Sequence, residues 1–242
     1  DSDDQVFKLT EDMILEPELP TSYSSSWRHV EVVDPAIQSK AGYILFAENP
    51  EDLTWHIIKA GYITGMQDAQ DLYREANLRS MGANVVKYVS DEHAWYIGYA
   101  KKQGTRYITP PNKKTKGGGK IFMIKRAQMF MSAGRLKIAK QFEDLLDELD
   151  TYRWKEGSSE GAIVNSHKYH LIDCLVYFVD TLPRGEVEQL KPLTWAQEIM
   201  MYNRKKLANP TKKPLQTMPR DVQYLRGDTL NDVFKRLGIK KW

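Results

Sequence analysis

Trp27-Arg28-His29-Val30-Glu31-Val32-Val33-Asp34-Pro35 is the stretch that decides how this chain is read. Side chains of a strand repeat every second residue, so Val30, Val32 and Asp34 share one face. Pro35 ends the run because it has no N–H for a ladder. Outward from it, Ala41–Ala47 and Thr54–Ile63 are two more apolar runs, bounded by Glu48-Asn49-Pro50 and by Gly61 with Gly65. Turn signals at those places predict an antiparallel meander of three strands.

Past Gly65 the period changes. Gln67–Ser80 has near-helical spacing up to Gly82, Asn84–Val89 is a short β-branched run with Asp91 just beyond it, and His93–Gln103 reads as a helix closed by Gly104. Thr105–Thr109 is a short strand stopped by Pro110-Pro111, followed by a flexible basic loop over Asn112–Lys120. Helices are expected over Ile121–Ser132, Gln141–Tyr152 and Tyr169–Leu182, with shorter ones at Trp195–Leu207 and Thr229–Leu237. Three strands followed by alternating helices and strands indicate an α/β fold with a mixed sheet flanked by helices. The expected division is an N-terminal linker or arm over 1–26, a body over 27–182, and a basic extension over 183–242.

The chain has 242 residues, 41% hydrophobic and 28% charged, which excludes wholesale disorder. One cysteine, Cys174, excludes an intramolecular disulfide and a multi-Cys zinc site, and suits a reducing compartment. No apolar run approaches the roughly 20 residues that span a bilayer, so an intracellular protein is expected. The formal net charge of +3 hides unequal blocks: residues 101–140 hold twelve Lys/Arg and no acid, whereas residues 1–20 hold one Lys against seven acids. Such segregation points to a polyanionic partner; solvated basic loops are the alternative. Lys113, Lys114, Lys116 and Lys120, on a Gly-rich loop without aromatics, suit grip on phosphates without base stacking. Gly117-Gly118-Gly119-Lys120 is no nucleotide-binding loop, because Ile121 stands where Ser or Thr would be needed.

Three acids stand out by position. Asp34 closes an apolar strand, Asp91 ends another, and Asp173 lies inside the apolar helix Leu171-Ile172-Asp173-Cys174-Leu175-Val176. A carboxylate on a buried surface is costly unless paired or bound to metal. Together they would make an oxygen-rich site for hard divalent cations. Alternatively Asp34 forms an Asx-turn and Asp91 caps the next helix. His170, three residues before Asp173, shares its helix face and could orient it or touch a metal-bound water; a hydrogen-bonded structural histidine is the alternative. Glu92 is a further candidate ligand, or a favourable acid in a first helical turn. His167, His170 and Cys174 would make an atypical zinc site.

Val32-Val33-Asp34-Pro35-Ala36, Tyr88-Val89-Ser90-Asp91, the Lys- and Gly-rich Asn112–Lys120, Leu146-Asp147-Glu148-Leu149-Asp150-Thr151-Tyr152-Arg153-Trp154 and His170-Leu171-Ile172-Asp173-Cys174-Leu175-Val176-Tyr177 occur in that order. In that order they resemble five motifs of the nuclease domain of large terminase subunits, the DNA-packaging motors of tailed bacteriophages and herpesviruses, whose fold is RNase H-like. Ile37-Gln38-Ser39-Lys40 departs from the Gly, Ser and Asp usual after the first motif, and Cys174 and Val176 stand where Ala and Arg are common. All three acids are kept.

The resemblance implies Asp34 and Asp91 on neighbouring strands, Asp173 on a late helix across them, and two Mg2+ or Mn2+ ions held by the triad. It implies endonucleolytic cleavage of double-stranded DNA during viral genome packaging, leaving 5′-phosphates, in the host cytoplasm. Partners implied are an ATPase domain not visible in this chain, a portal and a small terminase subunit. The basic C-terminal segment would contact DNA or the portal, or form a partly disordered tail. Another RNase H-like nuclease, such as a resolvase or transposase relative, or a non-catalytic DNA-binding or portal-docking module, are the other readings.

Overall fold

In the computed structural model the described residues are 4–15, 27–36, 40–115, 119–155 and 162–187. Strand β2 (Arg28–Asp34) runs antiparallel to β3 (Ala41–Glu48), and β3 antiparallel to β4 (Trp55–Ile63), which is the expected meander. On its other edge β2 pairs parallel with β5 (Val85–Ser90), and β5 with β6 (Tyr107–Ile108). Beyond β4 lie β7 (Leu136–Ala139) and β1 (Ile14–Leu15), also parallel, giving a seven-stranded mixed sheet of order β1-β7-β4-β3-β2-β5-β6.

All eight residues of β3 are buried, since both faces of the sheet are covered. Val33, Tyr43 and Leu45 pack with Leu72 and Ala76 of α1 (Ala69–Ser80) and with Tyr96 and Ala100 of α2 (Ala94–Lys102). Val30, Val32, Ile44, Phe46 and Val89 point the other way, into a larger core with α3 (Gly119–Ser132), α4 (Glu143–Thr151) and α5 (His170–Asp180). Alternation along β2 and β3 sends each residue to one side or the other.

Helix α5 is the keystone of that larger core. Phe178 stacks on Phe46 with centroids 3.8 Å apart and meets Trp55 and Phe130 edge-on. Aromatic pairs in these geometries add about 0.5–1.5 kcal/mol beyond the area they bury. The helix starts hard against β3: a Cβ on Gly42 would lie 2.5 Å from the carbonyl oxygen of His170. Only glycine permits that approach, and Gly42 pairs across the sheet with Asp34.

Three regions differ from expectation. Residues 4–15 are not a bare linker: Val6, Phe7 and Met13 are buried in the larger core, and Ile14–Leu15 pairs with β7. Their apolar residues are too few and too irregular to show a period, so only long-range packing organises them. Strand β7 escaped the sequence reading because four residues within a basic stretch carry too short an alternation. The expected loop at Asn112–Lys120 begins with a 3-10 turn, Pro111–Lys114, and α3 already starts at Gly119. After α5 the short helix α6 (Arg184–Val187) buries Val187 in the same core. The expected helices at Trp195–Leu207 and Thr229–Leu237 lie outside the described residues. Among the described residues no helix is long and apolar enough to cross a membrane.

Candidate active site

Asp34 is the last residue of β2 and shares the α5-facing side with Val30 and Val32. Asp91 follows the last residue of the parallel neighbour β5, on the same side as Val89 by the period of two. Asp173 sits in the first turn of α5, which crosses that side. Three elements distant in sequence therefore bring the three acids into one open cleft of about 540 Å³.

The side chains there are tied to one another. His170 Nδ1 is 2.6 Å from Asp34 Oδ2. Lys113 Nζ pairs with Asp91 Oδ2 and donates to Tyr177 Oη at 2.6 Å, and Tyr177 in turn donates to Asp91 Oδ2 at 3.3 Å. Lys120 Nζ pairs with Asp173 Oδ1 at 2.9 Å. Lys114 Nζ pairs with Glu92 at 2.6 Å. Lys116 lies outside the described residues. Asp91 Oδ1 accepts the backbone N–H of Glu92, so this acid does not cap α2, whose N-cap residue is His93.

Two buried anchors hold these parts in place. Asp180, at the far end of α5, accepts from the backbone N–H of Asn112 at 2.9 Å and from its amide at 2.6 Å, and pairs with buried Arg126. That clamp fixes the start of the basic segment and aims Lys113 at Asp91. Glu148, on α4, accepts the N–H of Ile172 at 2.9 Å and the hydroxyl of Tyr62. Tyr169, the N-cap of α5, makes no side-chain cap, so Glu148 supplies the acceptor that a helix start requires.

Charge crowding marks the site. Burial, together with the Asp34 charge, pushes the Asp173 carboxyl up to about 6 against the pull of Lys120. The bond to Asp34 raises the His170 imidazole, against burial. Burial would raise Asp91, but its bond and charge interaction with Lys113 win and hold it below the ordinary carboxylate range. Burial and the three acids drive the Tyr177 hydroxyl far upward, so it serves as a donor and not as a base.

One oxygen each from Asp34 and Asp91 and one nitrogen of His93 lie within 4.8 Å of one another, the span of a shared cation; Asp173 is not in that set. Cys174 is fully buried and also outside it. Sequence reading missed His93 and Tyr177. The signals were present: His93 is two residues past Asp91, and Tyr177 is one helical turn past Asp173 on the face of His170.

No protein-family model and no curated protein matches the chain. Solved structures do. The large terminase of a thermophilic bacteriophage superposes with a TM-score of 0.62 at 14% identity, over 74% of this chain and 44% of that one. The large terminase nuclease of the thermophilic phage G20c, solved with bound magnesium, gives 0.58 at 15% identity, over 74% and 97%. The P22 large terminase nuclease domain gives 0.54 at 14% identity, over 72% and 89%. The chain has the fold of a large-terminase nuclease domain. This RNase H-like frame is what the order of motifs implied, and the mixed sheet with flanking helices agrees with it. The chain spans less than half the length of the first of these terminases, whereas it matches nearly the whole of the isolated G20c nuclease.

Proposed function

We propose that the chain is a divalent-metal-dependent endonuclease that cuts double-stranded DNA during viral genome packaging, with Asp34, Asp91 and Asp173 holding two Mg2+ or Mn2+ ions. The observation that carries this reading is the convergence of three carboxylates from β2, the end of β5 and α5 in one cleft, in a fold shared with terminase nucleases. The donor set fits hard cations: carboxylate oxygens dominate, and ammonium groups already neutralise two of the acids. Bound there, the ions would lower the pKa of the attacking water and stabilise the leaving 3′ oxygen.

The chain's own residues set the conditions. Burial raises the Asp173 carboxyl to about 6, so this acid is the one a bound cation would most help to ionise. His170 fixes the orientation of Asp34 through their 2.6 Å bond. Lys113 and Lys120 pair with Asp91 and Asp173 at the cleft, and with cations held by those acids they would be free to grip DNA phosphates; Lys114 and Lys116 extend the same basic segment. The remaining parts of the reading are an ATPase domain, a portal and a small terminase subunit as partners, and action in the host cytoplasm.

The deciding experiment is plasmid nicking with Mg2+ or Mn2+ against EDTA, for the wild type and Asp91→Asn. Metal-dependent nicking lost in the variant is expected. Cutting that persists in EDTA, or is unchanged in Asp91→Asn, refutes the assignment.

A further inference from the structure

We infer that His93 is a third ligand, beside Asp34 and Asp91, to one of the cations, and that its imidazole tilts this position toward Mn2+ and Co2+ over Mg2+. The inference rests on the nuclease reading above and specifies its metal.

Position is the first argument. The backbone N–H of His93 donates to the carbonyl of Asp91 at 2.8 Å, closing a tight turn that brings both side chains to the cleft mouth. His93 Nε2 then lies 3.7 Å from Asp91 Oδ2, and both groups are within 4.8 Å of a ligand oxygen of Asp34. Ligand atoms around one small divalent ion at about 2.0–2.2 Å stand roughly 3–4.4 Å apart, so small side-chain shifts complete the shell.

The second argument is what His93 does not do. It occupies the N-cap of α2, where Ser, Thr, Asp or Asn would accept a helix N–H, yet it makes no side-chain cap. That position sacrifices a cap worth about 1 kcal/mol, and the imidazole faces carboxylates instead. The nearby ammonium of Lys113, on the same Asp91 oxygen, shows that the spot already draws positive charge. The other imidazole, His170, is committed through Nδ1 to Asp34.

Chemistry gives the selectivity. Mg2+ favours oxygen ligands in a near-ideal octahedron and gains little from imidazole, whereas imidazole binding strengthens along the first-row series.

The test uses the whole chain and metal binding, not turnover. Mn2+ is titrated by electron paramagnetic resonance of the free ion, and Mg2+ by competition against it. His93→Ala should weaken Mn2+ by about tenfold or more while leaving Mg2+ nearly unchanged. Spin-echo spectra of bound Mn2+ should show directly coordinated nitrogen in the wild type and in His170→Ala, and none in His93→Ala. His93→Asn, which offers an amide oxygen, should recover part of the affinity without the nitrogen signal. The His93 side chain is 42% exposed, so these variants should keep the wild-type melting temperature. Equal loss of both metals, no loss of either, or a nitrogen signal that follows His170 overturns the inference and leaves the carboxylate site standing. Mn2+ binding unchanged in both Asp34→Asn and Asp91→Asn instead sinks the metal site itself.

Discussion

Strand β2 carries two acids three residues apart, and they face opposite sides of the same sheet. Glu31 points toward α1 and α2, is wholly buried, and accepts a hydrogen bond from Tyr107, which is itself bonded to Tyr96 at 2.9 Å. Burial raises its pKa, with the Tyr107 bond opposing. Asp34 points to the other side, where the sheet ends in an open cleft with other acids, two lysines and three histidines. Equal charge and equal strand thus lead to different roles. A carboxylate sealed among tyrosines is a structural polar contact; one at a strand's C-terminal end, in an open cleft beside like charges, is the one proposed to hold a cation.

Activity should separate the two faces most. Asp91→Asn should lower metal-dependent nicking by about a thousandfold, the scale of lost electrostatic stabilisation at a reacting centre. Glu31→Gln should leave nicking unchanged, and a loss there would erase the distinction between the two faces. Stability should show the reverse. Glu31→Ala leaves the Tyr107 hydroxyl without its acceptor and opens a void, so urea unfolding should report about 2–4 kcal/mol of destabilisation. Asp34→Asn should cost less, because the amide keeps the volume and a polar partner for His170 while removing like-charge repulsion with Asp173.

A smaller effect concerns pH. The folded-state pKa of Asp173 is raised to about 6 from an ordinary 3.8, so the metal-free fold binds this proton more tightly than the unfolded chain does. The resulting stability is complete below about pH 4 and is lost as pH rises through 6. Asp173→Asn should therefore flatten the stability profile between pH 4 and 6, on the order of 1–3 kcal/mol, measured by denaturant titration in EDTA. A profile that keeps its slope in the variant would assign the proton elsewhere. Smallest is the salt dependence. Replacing Lys113, Lys114 and Lys116 with Ala should reduce the slope of log affinity for DNA against log salt by about 1 for each phosphate that is no longer neutralised. An unchanged slope removes the basic segment from the DNA interface.

Much of the frame was legible in the sequence because it rests on periods. The period of two in β2 put Val30, Val32 and Asp34 on one face, and the structure has them there. The helices over 69–80, 94–102 and 170–180 lie within a few residues of their sequence signals. What was not legible depends on partners far away in the chain. Residues 4–15 have no period of their own and are ordered by the core and by β7. Lysines 113 and 120 read as free phosphate-binding groups, yet both pair with the acids, because Asp180 anchors Asn112 and the first turn of α3 lies over α5.

The identity of the acids, their order and the residue types around them belong to the sequence, since local alternation and helical spacing decide which face each side chain takes. Whether they meet is a matter of tertiary structure. Gly42 lets the start of α5 come against β3, Glu148 caps that helix from α4, and β2 and β5 pair in parallel so that Asp34 and Asp91 emerge at the same sheet end. His93 shows the limit most plainly. Its place two residues past Asp91 is a local signal, but only the cleft places its ring beside two carboxylates.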